Sequence, residues 1–367
     1  MDSRERMRAV FSGRLPDRVP FLATIFTDHA CQISGRRFEE ALIDPALGNR
    51  CMVEAAVRCG CDGVRLRIGP GDDWYRAKEV REHEGRLMQF DRSTGRAEGF
   101  YDVDGGGGLV LFEPPKPVAS IEEVRAIPVP SSREYVERGC VRNVAECVAE
   151  AHGKGLFAIG MCGGQTINFM VQQLGDPEDA LMCFHDRPEL AFALIEKAVA
   201  ITTEMGKALI ETGLDCIYIG DSYASASVIS PATYERFCVP AYRQAAAEFR
   251  GRGVFCYKHC CGNYDPLLES LPAVGVDAMD GIDPSSGMSV AHTKSVLGEK
   301  LTLMGGIACL TLLDGTVEEV YDEARRCVEA GKPGGRYILG SACAVPRNAP
   351  VENLRAAAQA AIDFGTY

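Results

Sequence analysis

The chain has 367 residues, of which 46% are hydrophobic and 25% charged, and a formal net charge of −12. That length and apolar content suit a large buried core. The acidic balance excludes nucleic acid, whose phosphates demand a basic footprint, and opposes docking on an anionic membrane. No apolar run reaches the roughly 18 residues that span a bilayer. Met1-Asp2-Ser3-Arg4-Glu5-Arg6 lacks the apolar core of a signal peptide, so a cytoplasmic protein is expected. Sixteen cysteines in such a reducing compartment read as buried thiols or metal ligands, not disulfides.

In chain order, residues 4–11 form a short amphipathic helix ending at Gly13, and 17–22 lead into a first strand. A helix from about 45 to 60 precedes a second strand at 63–67. Between about 84 and 115, the apolar runs 87–90 and 109–112, separated by Gly-, Asp- and Thr-rich turns, predict a β-hairpin excursion. After Pro128-Val129-Pro130 the pattern alternates regularly. Strands are expected at 156–160, 216–220, 254–257, 276–279, 301–304 and 337–340, separated by helical segments, with a last helix at about 351–364. Eight strands with crossover helices predict one α/β domain over residues 1–367, a (β/α)8 TIM barrel with an N-terminal helical extension and the hairpin insertion. An open doubly wound sheet is the competing topology. Its dinucleotide version lacks the Gly-x-Gly-x-x-Gly turn after the first strand.

Active sites of such barrels lie at the carboxyl ends of the strands. The fifth strand ends in Lys258-His259-Cys260-Cys261-Gly262-Asn263, and the eighth in Ser341-Ala342-Cys343. In extended chain His259 and Cys261 point to the same side, so one imidazole and one thiolate can meet a single ion. Cys343 joins them only if the barrel closes. Three nitrogen and sulfur ligands with an open position mark a catalytic zinc site. Ordinary core thiols beside a hydrogen-bonded histidine remain the alternative.

From Arg4-Glu5-Arg6 through Pro16-Asp17-Arg18-Val19-Pro20 to Pro350-Val351-Glu352-Asn353, the chain resembles the uroporphyrinogen decarboxylase superfamily. Further stretches that carry the likeness are Gly175-Asp176-Pro177-Glu178, Asp186-Arg187-Pro188-Glu189 and Glu211-Thr212-Gly213-Leu214-Asp215. It is most similar to the branch of corrinoid-dependent methyltransferases that includes the coenzyme M methyltransferases. That resemblance implies Zn2+ held by His259, Cys261 and Cys343. It also implies a corrinoid (cobalamin) carried by a separate partner protein, and a small-molecule methyl donor or acceptor: a thiol, a folate or a methylated substrate. A more distant likeness, to cobalamin-independent methionine synthase, adds Asp283 as a fourth metal ligand, with Asp280 as its rival. The family also implies a monomer or a homodimer.

One departure bears on substrate. Decarboxylases of the family share an N-terminal Arg-Gln-Ala-Gly-Arg motif whose arginines hold substrate carboxylates, whereas this chain reads Phe26-Thr27-Asp28-His29-Ala30-Cys31-Gln32. Without an arginine pair, a many-carboxylate tetrapyrrole loses its electrostatic warrant. His29 is a pocket-lining substrate residue or a surface histidine. Asp221 and Tyr223, after the fourth strand, fall where the superfamily places substrate-facing groups. They are expected to orient substrate or move a proton, or, for Asp221, to cap a helix. Gln165 and Asn168, after the third strand, are candidate cofactor contacts, with helix capping the alternative for Asn168. A metal-free decarboxylase and a non-catalytic barrel stapled by zinc are the competing functions.

Overall fold

A computed structural model describes residues 1–163 and 166–367. Its described strands in chain order are β1 (Gly63–Arg67), β2 (Lys78–His83), β3 (Arg86–Asp91), β4 (Ala97–Asp102), β5 (Gly108–Leu111), β6 (Phe157–Cys162), β7 (Cys216–Gly220), β8 (Phe255–His259), β9 (Ala278–Ile282), β10 (Thr302–Ile307) and β11 (Tyr337–Ser341). Seven of them form one parallel sheet in the order β1-β6-β7-β8-β9-β10-β11. The sheet is strongly curled. Arg65 on the edge strand β1 reaches Tyr257 on β8 and Asp280 on β9. In a flat sheet those strands would stand about 14–19 Å away, beyond any arginine.

The first expected strand is irregular. Residues 19–25 make only isolated bridges, Phe21 with Leu339 and Thr24 with Ala344. Pro20 has no N–H to give a ladder, but its carbonyl accepts from Leu339 N (2.9 Å), while Leu22 N donates to Leu339 O (2.8 Å). On the other side Asp62 N donates to Phe21 O (2.7 Å), so this segment links the two edges of the sheet.

Alternation along the strands sorts side chains into two cores. On β1, Val64 and Leu66 join the layer between sheet and helices. Phe157, Ile159, Cys216, Tyr218 and Tyr257 instead pack inside the curl, with Met7, Val10 and Phe11 closing one end. Those three come from α1 (Ser3–Phe11), which starts at a capping box between Asp2 and Glu5. No helix among the described residues is long and apolar enough to cross a membrane.

The insertion is larger than the expected hairpin. It is a four-stranded antiparallel sheet, β2-β3-β4-β5, in which the runs 87–90 and 109–111 lie on β3 and β5, separated by β4. Strand β2, Lys-Glu-Val-Arg-Glu-His, buries only Val80, so it carries no apolar signature by which sequence alone would reveal it. This sheet faces three helices: α2 (Thr27–Ile33), α3 (Phe38–Ile43) and α4 (Pro45–Arg58).

Candidate metal centre

His259 is the last residue of β8, buried at 5% exposure, and Cys261 follows it with its sulfur half-buried. Alternation puts Cys260 on the opposite side, where its thiol donates to Ala224 O (3.0 Å) in the outer core. Cys343 follows β11 by two residues. The curl of the sheet brings it back: His259 Nε2 lies 3.3 Å from Cys261 Sγ, and Cys261 Sγ lies 3.5 Å from Cys343 Sγ. The third side, Cys343 Sγ to His259 Nε2, is 3.8 Å. Every cysteine except Cys261, Cys309 and Cys343 is buried, so the paired sulfurs are unusual in being accessible.

Behind the imidazole, Asp280 Oδ2 accepts from His259 Nδ1 at 3.1 Å and from Arg65 Nη2 at 3.2 Å. Arg65 is fixed in turn by Tyr257 Oη (2.7 Å) and Ala23 O (2.9 Å). Burial alone would lower the His259 pKa, but the Asp280 carboxylate overrides it and raises the value to about 9. A hydrogen bond from Cys343 lowers the pKa of Cys261, and the same contact, with burial, pushes Cys343 up to about 12. In the metal-free chain Cys261 is therefore the readier thiolate. Tyr218 stacks on the imidazole, with ring centroids 5.9 Å apart and planes at 26°. Gly281, at φ +109°, lets the chain pass here, since a Cβ would strike the Cys260 carbonyl.

Other expected site residues take different positions. Asp283 is not in the cluster; its carboxylate caps the short helix Pro284–Ser286 by accepting from Ser285 N (2.8 Å). The rival Asp280 does face the site, as a partner of the histidine. Asp221 is buried at 1% exposure and serves the helix Ile167–Leu174. It accepts from Thr166 N (2.8 Å), Thr166 Oγ1 (2.5 Å), Ile167 N (3.0 Å) and Asn168 N (3.2 Å). Four donors already occupy its lone pairs, which corrects the expectation of a substrate-facing acid. Asn168 latches the same corner, its Oδ1 accepting from Ser222 N (3.1 Å). Tyr223 is half-buried against the outer core. His29 is fully buried, with Nε2 against Ala349 O (3.0 Å), so it is neither a surface nor a pocket-lining residue. Gln165 lies outside the described residues.

Arg65 went unrecognised in sequence. An arginine inside an apolar strand was its one signal, since a buried guanidinium requires a carboxylate.

Fold and site together define the class: an α/β protein with a curled parallel sheet, carrying a candidate transition-metal centre where its strands end. A sequence model described as uroporphyrinogen decarboxylase (URO-D) matches residues 110–364, and the chain belongs to that family. A methylated-thiol–coenzyme M methyltransferase of Methanosarcina mazei is 32% identical over 170 residues, covering 46% of this chain and 43% of the relative. The methylcobamide:CoM methyltransferase MtaA of Methanosarcina barkeri is 29% identical over 168 residues (44% of this chain, 47% of the relative). A uroporphyrinogen decarboxylase of Myxococcus xanthus is 28% identical over 236 residues (62% and 64%). The chain thus aligns with less than half the length of these two methyltransferases. A solved structure titled as a methyltransferase from Methanosarcina mazei shares the fold, with TM-score 0.75 at 20% identity and 99% coverage of both chains.

Proposed function

We propose that this chain is a zinc-dependent methyltransferase. It would move a methyl group between a corrinoid carried by a partner protein and a small thiol, folate or methylated substrate. The observation that carries the reading is the convergence of His259 Nε2, Cys261 Sγ and Cys343 Sγ, all within 4.8 Å of one another. Around one tetrahedral ion with bonds of about 2.0–2.1 Å to nitrogen and 2.3 Å to sulfur, neighbouring ligand atoms stand roughly 3.5–3.8 Å apart. The separations of 3.3, 3.5 and 3.8 Å fit that ion, and the donor set suits zinc. When bound, zinc supplies Lewis acidity toward a substrate thiol or the heteroatom of a methyl donor.

The chain's own residues prepare that chemistry. Asp280 accepts a hydrogen bond from Nδ1–H, leaving Nε2 as the ligand atom, and Arg65 keeps Asp280 in place. The half-buried sulfurs leave one approach open, while Tyr218 covers the imidazole. Relatives named as methylcobamide:CoM methyltransferases support corrinoid use by this chain. The decarboxylase alternative has less support, because the stretch 26–32 forms the arginine-free start of α2.

Zinc-loaded protein assayed with methylcobalamin against a panel of acceptors tests the proposal. About one zinc per chain is expected, with methyl transfer lost in His259→Ala. Full activity in a metal-free preparation rejects the mechanism.

A further inference from the structure

A cavity of about 440 Å³ lies between α2–α4 and the inserted sheet, on the side where β1 ends. Its walls include Phe26, Trp74, Tyr101 and Leu109, and one cation, Arg67. Arg67 is the last residue of β1 and, like Arg65 two positions earlier, faces the inside of the curl. Among the described residues its guanidinium donates no hydrogen bond and enters no ion pair.

Its position is nevertheless built. Asn49 clamps the Arg67 backbone from both sides, Oδ1 accepting from Arg67 N (2.9 Å) and Nδ2 donating to Arg67 O (2.8 Å). The guanidinium lies over Phe26, 4.6 Å from the ring centroid, so one face is covered and the N–H edge stays free. Arg67 is exposed and lines the cavity wall. Asp28 also lines the cavity but makes no ion pair with Arg67; it extends into an adjoining groove beside Arg36, Arg37 and Arg347. Arg67 also shares the inner face of the sheet with a neighbour of the metal centre. Arg67, Met161 and Tyr218 share one rung of the sheet, and Tyr218 stacks on His259. His259 stands one strand beyond Tyr218, so β1 and β8 are three spacings, at most about 14 Å, apart, a span that one substituted ring and an arginine side chain together cover.

We propose that this cavity holds the body of the methyl-bearing substrate, a small aromatic acid, with the Arg67 guanidinium binding its carboxylate. A single fork of N–H donors matches one planar carboxylate, and aromatic walls suit a flat ring. The word substrate rests on the methyltransferase reading; the binding does not.

Trp74, the chain's single tryptophan, lines the cavity and reports occupancy by fluorescence. Zinc-loaded protein is titrated with para-methoxybenzoate and with its neutral isostere para-methoxybenzamide. The acid is expected to bind at least about tenfold tighter, as one charge-assisted contact supplies. Arg67→Met should bring the acid to the affinity of the amide and leave the amide unchanged. Arg67→Lys should keep part of the preference. Equal affinity of acid and amide in the unmodified chain overturns the assignment without recourse to any variant. So does absence of a Trp74 response up to about 10 mM, weaker than one charge-assisted contact in an aromatic cavity would give. Cys261→Ser separates the two readings, because it should lose methyl transfer and keep the fluorescence response. Carboxylate binding without any methyl transfer would leave the cavity assignment standing and reject the methyltransferase. Transfer from acid and amide alike, with Trp74 silent, would do the reverse.

Discussion

The two ends of the curled sheet use the same ingredients for different purposes. At the end closed by α1, Asp62 receives Arg6 (2.6 Å), Arg18 (3.1 Å) and the Phe21 N–H (2.8 Å). Asp215 there receives Arg4, Arg8, His152 and the Ala158 N–H. These carboxylates are saturated by the chain and hold it shut. At the opposite end Asp280 also takes an arginine, but its second partner is a histidine whose far nitrogen meets two half-buried sulfurs. Saturated polar groups lock structure, whereas donor atoms left over after every local demand is met are available to a ligand. Stability at one end and chemistry at the other is the division such parallel-stranded folds show generally.

The sharpest break of that contrast removes a sulfur. Cys261→Ser should drop zinc from about one per chain to trace levels, as metal analysis of purified protein will show, while melting of the metal-free form changes little. Next is Asp62→Ala at the closed end. It leaves the largely buried Arg6 guanidinium with Asp17 alone and takes the carboxylate from Arg18 and the Phe21 N–H, so a loss of about 1–3 kcal/mol is expected in denaturant titrations, with zinc stoichiometry of the folded fraction unchanged. A smaller effect follows from Asp280→Asn, which keeps the ligand set but frees the imidazole. Zinc affinity should weaken about 10–100-fold by competition with a chelator. An unchanged affinity would mean that the carboxylate does not support the ligand.

The smallest effect is a pH dependence of the metal-free chain. His259 titrates at about 9 folded against an ordinary 6.5, because the Asp280 carboxylate outweighs its burial. A raised folded pKa contributes stability fully present below about pH 6.5 and lost as pH rises through about 9. The melting temperature of metal-free protein should fall across that window, and Asp280→Asn should flatten the fall.

Residues whose placement follows from their own segment were legible before any coordinates. His259 and Cys261 sit at a strand end with the spacing that puts both on one side, and the alternation of apolar runs marked the parallel strands. Pro20 was equally visible, yet its effect, an irregular segment in place of a first strand, depends on which neighbours its carbonyl finds. Asp221 looked like a substrate-facing acid because nothing in its own loop shows that the helix Ile167–Leu174 starts beside it.

The amino-acid order alone determined the strand–helix alternation, the acidic character and the His-x-Cys pair, since these depend on periodicity, composition and neighbours along the chain. Only the tertiary structure decided that Cys343 stands 3.5 Å from Cys261, that Arg65 holds Asp280 behind the histidine, and that Arg67 lines a cavity without an ion-pair partner among the described residues. Each of these joins residues on strands or loops far apart in sequence. The curl of the sheet sets their separation, and that curl emerges from the packing of the whole chain, beyond what any single segment encodes.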